Sequence, residues 1–454
     1  MSSTRKAKRL VIIGGVAAGM SAASRARRLD PDLEIVAYER TGYVSYGSCG
    51  LPYLIAGVVR EASDLVARTP EQFARQGIET HTHHEVQTID TARKMLSVRD
   101  LDQGEEFSVP YDQLVIATGG RAIRPPIPGV ELNGVFMLRT VEDGAAVNEF
   151  IAHQRPSRAV MIGGGYIGVE VTEAFLQRGL QTTVLNRPPQ LLDNFDSDLA
   201  QMMQEELERN GARVSVDDAA QGIEGDGAGM VQAVVSARAT YEADLVLIGA
   251  GVAAESSLAR EAGIRLGTKG AIAVDERMRT NVPDVYAAGD CAETYHLLLK
   301  GPAYVPLGST ANKQGRVAGT NAGGGEATFG GVVGTVITKA FDLGVAVTGL
   351  TEKAAEQLGR PARAVSIKHG SRAHYYPSPG PVRVKLVWDP GDGKLLGGQI
   401  AGPVAEAKRI DVLATALHHE LTIEDLQRLD LSYAPPFSPV WDPILVAANV
   451  AAKN

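Results

Sequence analysis

The chain has 454 residues, 44% of them hydrophobic and 22% charged, with a formal net charge of −8. That length allows about three ordinary domains, and the mild acidic balance offers no basic surface for nucleic acid or anionic membrane. Only two cysteines occur, Cys49 and Cys291, which excludes a disulfide framework and a cysteine-rich metal site.

The opening residues 1–10 are basic, and the apolar run after them stops at Gly14. It is too short for a signal-peptide core or a membrane span, so a cytoplasmic protein is expected. A first strand–turn–helix–strand unit is predicted over residues 9–39: an apolar strand at 10–13, a glycine turn, a small-residue helix at 17–29 and a strand at 34–38. Residues 111–120 read as an apolar strand ending in a small-residue turn, and the first grammar returns over 158–186. Each unit has the length and order of a βαβ nucleotide-binding half. Residues 230–250 read as a hairpin leading into an apolar strand at 244–248, and the Gly-rich stretch 322–325 reads as a linker. Beyond it, alternating segments at 332–337 and 383–388 and helices near 405–418 and 422–428 predict a separate domain. The expected fold class is α/β: two Rossmann-like dinucleotide-binding domains followed by a C-terminal α+β domain.

The second glycine turn, Gly163-Gly164-Gly165-Tyr166-Ile167-Gly168, fits GxGxxG between a strand and a helix. Its glycines permit a tight turn and close approach of a pyrophosphate to the helix N-terminus, whose unpaired N–H groups favour an anion. The first, Gly14-Gly15-Val16-Ala17-Ala18-Gly19, carries Val16 where the middle glycine is expected. Its second strand still ends at Glu39, followed by Arg40, where a carboxylate accepts hydrogen bonds from a ribose. The corresponding place in the second unit holds Asn186 and Arg187. Asparagine removes the repulsion a carboxylate would exert on a 2′-phosphate and arginine adds a cation, which leans toward NADPH over NADH.

These two turns, Ala117-Thr118-Gly119 and Val285-Tyr286-Ala287-Ala288-Gly289-Asp290 together resemble the FAD-dependent pyridine nucleotide–disulfide oxidoreductases over the whole chain. Within that group, Ser45-Tyr46-Gly47-Ser48-Cys49-Gly50-Leu51-Pro52-Tyr53 and Tyr433-Ala434-Pro435-Pro436-Phe437 are most similar to coenzyme A-disulfide reductases and related persulfide or polysulfide reductases. The resemblance implies an FAD-binding domain at 1–115 and 250–325, an NAD(P)H-binding domain at 116–249 and a dimerisation domain at 326–454. It implies that Asp290 bonds the FAD ribityl chain and adds Gly251 to the cofactor contacts. It makes Cys49 the redox centre, with Tyr433 and Tyr375 brought to it from the other subunit of a homodimer. Residues matching Ser21, Arg25, Arg28, Ser45 and Ser48 line the coenzyme A channel in the related enzymes.

Position 44, where a second redox cysteine would stand, is valine. Cys49 must therefore work through a mixed disulfide, a persulfide or a sulfenic acid. The Gly50-Leu51-Pro52 that follows suits a helix start, whose dipole favours thiolate. Cys291 reads as a buried filler, and His81, His83 and His84 as structural, with no metal expected. In some relatives a lysine that holds coenzyme A matches Trp441 here, which leaves room for persulfide or polysulfide. Peroxidase relatives carry a histidine where Ala17 stands, and ferredoxin-type reductases lack the redox cysteine. The alternatives are an NADH oxidase cycling Cys49 through sulfenic acid and, from another class, a redox-sensing flavoprotein without turnover.

Overall fold

The computed structural model describes residues 8–453, so most of the basic opening segment lies outside the described residues. The chain forms two compact units, one of residues up to Arg124, Met137–Gln154 and Ala250–Val332, the other of Pro125–Phe136, Arg155–Gly249 and everything from Val333 onward. The predicted second and third domains thus share one unit, and the helix Val141–Gln154 belongs with the first.

The first unit is built on a parallel five-stranded sheet ordered Val285–Ala287, Gln113–Ile116, Arg9–Ile13, Glu34–Tyr38, Ile78–His81. Its inner strands Arg9–Ile13, Glu34–Tyr38 and Gln113–Ile116 carry short continuous apolar runs because both faces are covered, whereas the edge strand Ile78–His81 buries only Ile78. Leu10 and Ile12 join one core cluster, Val11 and Ile13 the other. The chain order reverses direction between Arg9–Ile13 and Gln113–Ile116, so Gly14 and Ala117 emerge side by side at the crevice where such sheets bind ligands. The helix Ala17–Leu29 lies against Gly308–Ala322 at very short range. A Cβ on Gly315 or Gly319 would stand 2.2 Å from the carbonyl oxygen of Ala18 or Ala22, so only glycine allows this approach. This second helix was not predicted, and the expected linker at 322–325 starts on its last residue.

The second unit holds a sheet ordered Arg213–Val216, Gln181–Asn186, Arg158–Ile162, Leu245–Ile248, Val135–Met137, with the same reversal beside Arg158–Ile162. An antiparallel sheet of Ala220–Gly225, Val231–Ser236 and Thr240–Glu242 accounts for the predicted hairpin region. The C-terminal part is an antiparallel sheet ordered Val336–Ala340, Leu343–Gly349, Leu395–Pro403, Pro381–Trp388, Arg363–Gly370, with the helices Ile410–His418, Ile423–Gln427 and Pro443–Ala451. The strand expected at 332–337 begins only at Val336, because Gly331 and Gly334 adopt φ of +85° and +73° and break the extension. The helix expected from 405 is 3-10 over Val404–Arg409 before turning α. Among the described residues no helix is long and apolar enough to cross a membrane.

Candidate functional site

The first glycine turn is fixed by sterics. Gly14 has φ +100°, and a Cβ there would lie 2.2 Å from Ala117 O; one on Gly19 would lie 1.9 Å from Gly14 O. Strand, turn and helix therefore meet at backbone contact, and Val16 caps the helix without a side-chain hydrogen bond to its first N–H groups. Those groups are what an anion requires. Glu39, 7% exposed, accepts Gly15 N–H at 2.7 Å through Oε2 and Thr41 N–H and Oγ1–H at 2.9 and 2.8 Å through Oε1. A carboxylate has about four acceptor sites, so one remains for a ribose hydroxyl. Arg40 beside it is exposed.

Across the sheet, Gly289 turns at φ +87° with its N–H on Gln314 Oε1 at 2.9 Å, and a Cβ there would press 2.9 Å from that of Ala18. Asp290 pairs with Arg139 Nη2 at 2.8 Å, while Arg139 Nε donates to Gly120 O at 2.9 Å. Arg139 is a residue the motifs did not flag. The buried phenol oxygen of Tyr304 has no hydrogen-bond partner, and burial, with Asp290 next, pushes its pKa well above the ordinary value. Thr118 Oγ1 donates to Glu255 O at 2.5 Å, and Gly119 and Gly251 have φ of +76° and +114°. A cradle closed to any Cβ, a spare carboxylate acceptor and an orphaned phenol fit a dinucleotide such as FAD.

The second turn repeats the geometry with a different outcome. Gly163 has φ +111°, and a Cβ on Gly168 would lie 2.0 Å from Gly163 O. Around Gly165, by contrast, nothing lies within 4 Å of a Cβ. The middle position thus has room for a side chain, which explains how the first turn folds with Val16 there. Asn186, 4% exposed, accepts Gly164 N–H at 2.8 Å and donates its amide hydrogens to Pro188 O and Gln190 O at 3.2 and 2.7 Å. The side chain is absorbed by its own loop, and Arg187 is left as the exposed member of the pair. Tyr166 starts the helix next to Ile167; its phenol accepts from Asn194, and burial raises its pKa.

Cys49 lies on a short arch tied to the first turn. Ser45, at φ +51°, donates its N–H to Gly15 O at 2.8 Å, and Gly47 N–H reaches Leu65 O at 2.9 Å. Cys49 then falls in the 3-10 turn Ser48–Gly50, ahead of the five-residue helix Leu51–Ile55. It is exposed and in no disulfide, Cys291 is buried with its Sγ toward Ile116 O and Ala288 O, and Val44 is buried. Burial pushes the Cys291 thiol pKa up, which keeps it inert. Of the flanking helix, Ser21 Oγ bonds Asn312 at 2.7 Å, Arg25 Nε donates to Thr320 Oγ1 at 3.0 Å and Arg28 is exposed. Arg27 between them is tied to the carbonyls of Pro31, Leu33 and Gly77.

Near the C-terminus the phenol oxygens of Tyr375 and Tyr433 meet at 3.4 Å, although 58 residues separate them. Their hydrogen bond raises the Tyr433 pKa, and both rings are exposed, as are Phe437, Val440 and Trp441. His81, His83 and His84 each face one carboxylate, of Glu79, Asp102 and Asp100. Among the described residues no three side chains converge as metal ligands.

Comparison with known proteins covers nearly the whole chain. Residues 8–315 match the family described as pyridine nucleotide-disulphide oxidoreductase, and 335–443 match its dimerisation domain. The chain is 40% identical to the NAD(P)H coenzyme A polysulfide/persulfide reductase of Pyrococcus horikoshii, over 98% of both chains. It is 36% identical to the NADH oxidase of Methanocaldococcus jannaschii, over 98% of this chain and 99% of the other. The structure of an NAD-dependent persulfide reductase from A. fulgidus superposes with a TM-score of 0.95 at 39% identity, covering 98% of this chain and 83% of that one. The chain belongs to the pyridine nucleotide-disulphide oxidoreductase family.

Proposed function

We propose that this enzyme uses FAD and NAD(P)H to reduce coenzyme A disulfide, coenzyme A persulfide or polysulfide through Cys49 alone, as a cytoplasmic homodimer. The observation that carries this reading is a single exposed thiol on an arch bonded to the first glycine turn, with valine where a second cysteine would stand. Residues 1–115 and 250–325 are assigned to FAD, 116–249 to NAD(P)H and 326–454 to dimerisation. Gly14, Gly15, Gly19, Glu39, Gly289 and Asp290 would hold FAD, with Arg139 orienting Asp290. Gly163, Gly164, Gly168 and Arg187 would hold the pyridine nucleotide, with Arg187 facing the 2′-phosphate of NADPH.

FAD, when bound, would supply the two electrons, taken as hydride from NAD(P)H, that break the mixed disulfide on Cys49, returning Cys49 to its thiol and releasing the second substrate thiol. The Cys49 thiolate attacks a substrate sulfur; a bond forms between the two sulfurs and the substrate S–S bond breaks. The departing thiolate takes a proton from Tyr433, a phenol that is protonated at neutral pH. Arg28, with Arg25 and the hydroxyls of Ser21, Ser45 and Ser48, lines the approach for the phosphates of coenzyme A. Tyr433 and Tyr375 serve Cys49 of the second copy, which makes the dimer necessary for activity.

The name of the Methanocaldococcus relative favours a second reading, an oxidase that cycles Cys49 through sulfenic acid. Anaerobic reduction with NADPH, followed by coenzyme A disulfide, coenzyme A persulfide or polysulfide, separates the two. Reoxidation by one of these sulfur compounds, lost in Cys49→Ser, supports the reductase. Reoxidation by oxygen alone supports the oxidase.

A further inference from the structure

The second unit contains a buried charged cluster that the proposed reaction does not use. Asp196 stands at the N-cap of the helix Ser197–Arg209, yet its carboxylate caps none of that helix's N–H groups. It instead takes Lys385 Nζ at 2.9 Å and Gln399 Nε2 at 2.5 Å, while its own N–H donates to Gln399 Oε1 at 2.9 Å. Lys385 and Gln399 face each other on the neighbouring strands Pro381–Trp388 and Leu395–Pro403. Gln399 is fully buried, and the side chains of Lys385 and Asp196 are 10% and 7% exposed. Lys385 also reaches Glu352 at 2.9 Å, and the N–H groups of Glu352 and Lys353 lie 3.3 Å from Asp196. A buried ion pair is costly to desolvate and survives where hydrogen bonds complete it, as here.

What this cluster holds is the end of one loop. Residues 187–196 join the strand Gln181–Asn186 to the helix Ser197–Arg209, and Arg187 is the loop's first residue. At its near end Asn186 bonds Pro188 O and Gln190 O, and Leu192 N–H donates to Gly164 O at 2.8 Å. Within it, Gln190 Nε2 donates to Phe195 O at 2.9 Å. One end is thus fastened to the glycine turn and the other, through Asp196, to the C-terminal sheet. An exposed arginine on a mobile loop gains little from an anion, because its ordering offsets the attraction; a fixed loop lowers that cost.

We propose that Lys385 and Gln399, acting through Asp196, are positioning residues that hold the Arg187 loop in register for the 2′-phosphate of NADPH. This rests on the reading that Arg187 meets that phosphate. The C-terminal sheet thereby takes part in choosing the cofactor without touching it.

The test is calorimetric titration of the FAD-loaded enzyme with NADP+ and with NAD+, reading the ratio of their affinities. In Arg187→Ala the preference for NADP+ disappears. In Lys385→Met the ratio falls by about three- to tenfold, Asp196→Asn does the same if Lys385→Met fails to fold, and Lys385→Arg restores it. A purely structural role lowers thermal stability in these variants and leaves the ratio of the folded enzyme unchanged. That result, with Arg187→Ala still losing the preference, overturns the clamp and leaves the Arg187 reading intact. An unchanged ratio in Arg187→Ala overturns both.

Discussion

The two glycine turns are the same device finished in two ways. In both, the first glycine adopts positive φ and the last packs its helix onto the strand at backbone contact, 1.9 and 2.0 Å from a hypothetical Cβ. In both, the residue closing the second strand receives the N–H of the second glycine, Glu39 from Gly15 and Asn186 from Gly164. They differ in what that residue does with its remaining atoms. Glu39 keeps an anionic acceptor at the turn, while Asn186 turns its donors into its own loop. Fold sets the shared contacts, and the last side chain of the strand is what distinguishes the two turns.

The strongest way to break the comparison is at its steric core. Gly14→Ala forces a side chain into positive φ and against Ala117 O, and is expected to destabilise the first unit by about 2–6 kcal/mol. Gly165→Ala, with open space around it and φ −76°, should stay within about 1 kcal/mol of the parent. Thermal melts of both decide it; equal losses would mean the middle position is not open.

Glu39→Ala comes next. It leaves the N–H groups of Gly15 and Thr41 without their acceptor, and FAD should bind on the order of 10²–10³-fold more weakly by fluorescence titration. Unchanged affinity would remove Glu39 from the flavin site. A smaller effect tests the other half: Asn186→Glu should shift the NADH to NADPH ratio of kcat/KM about tenfold toward NADH. A shift toward NADPH would contradict the role given to that strand end. The smallest expected change is in Tyr375→Phe. It deletes the hydrogen bond that raises the Tyr433 pKa, so Tyr433 deprotonates at lower pH. The alkaline limb of the kcat profile should move down accordingly, and an unmoved limb would separate Tyr433 from the proton.

Much of this was legible in the sequence because the turns are local. The positions of Gly14, Gly163, Glu39 and Asn186 follow from strand, helix and spacing within one βαβ unit. Arg139 was not legible, since it reaches Asp290 across 151 residues and belongs to no motif. The same holds for Lys385 and Asp196, whose pairing exists only once the C-terminal sheet is in place. The helix Gly308–Ala322 was missed for another reason. Its buried face is mostly Gly, Ala and Thr, with Gln314 and Val317, rather than large apolar residues, so it shows only a weak hydrophobic stripe, and Gly308, Gly315 and Gly319 lower its helix propensity. The Tyr375–Tyr433 contact was reached only through the resemblance, because nothing in their spacing brings two phenols together.

The central claim is that one sulfur, that of Cys49, carries the substrate covalently. The direct measurement is peptide mass spectrometry of enzyme mixed anaerobically with coenzyme A disulfide and quenched in acid before NADPH is added. The account predicts a coenzyme A adduct on the peptide containing Cys49, absent in Cys49→Ser and released by NADPH. An unmodified Cys49 in enzyme that still turns over would contradict it.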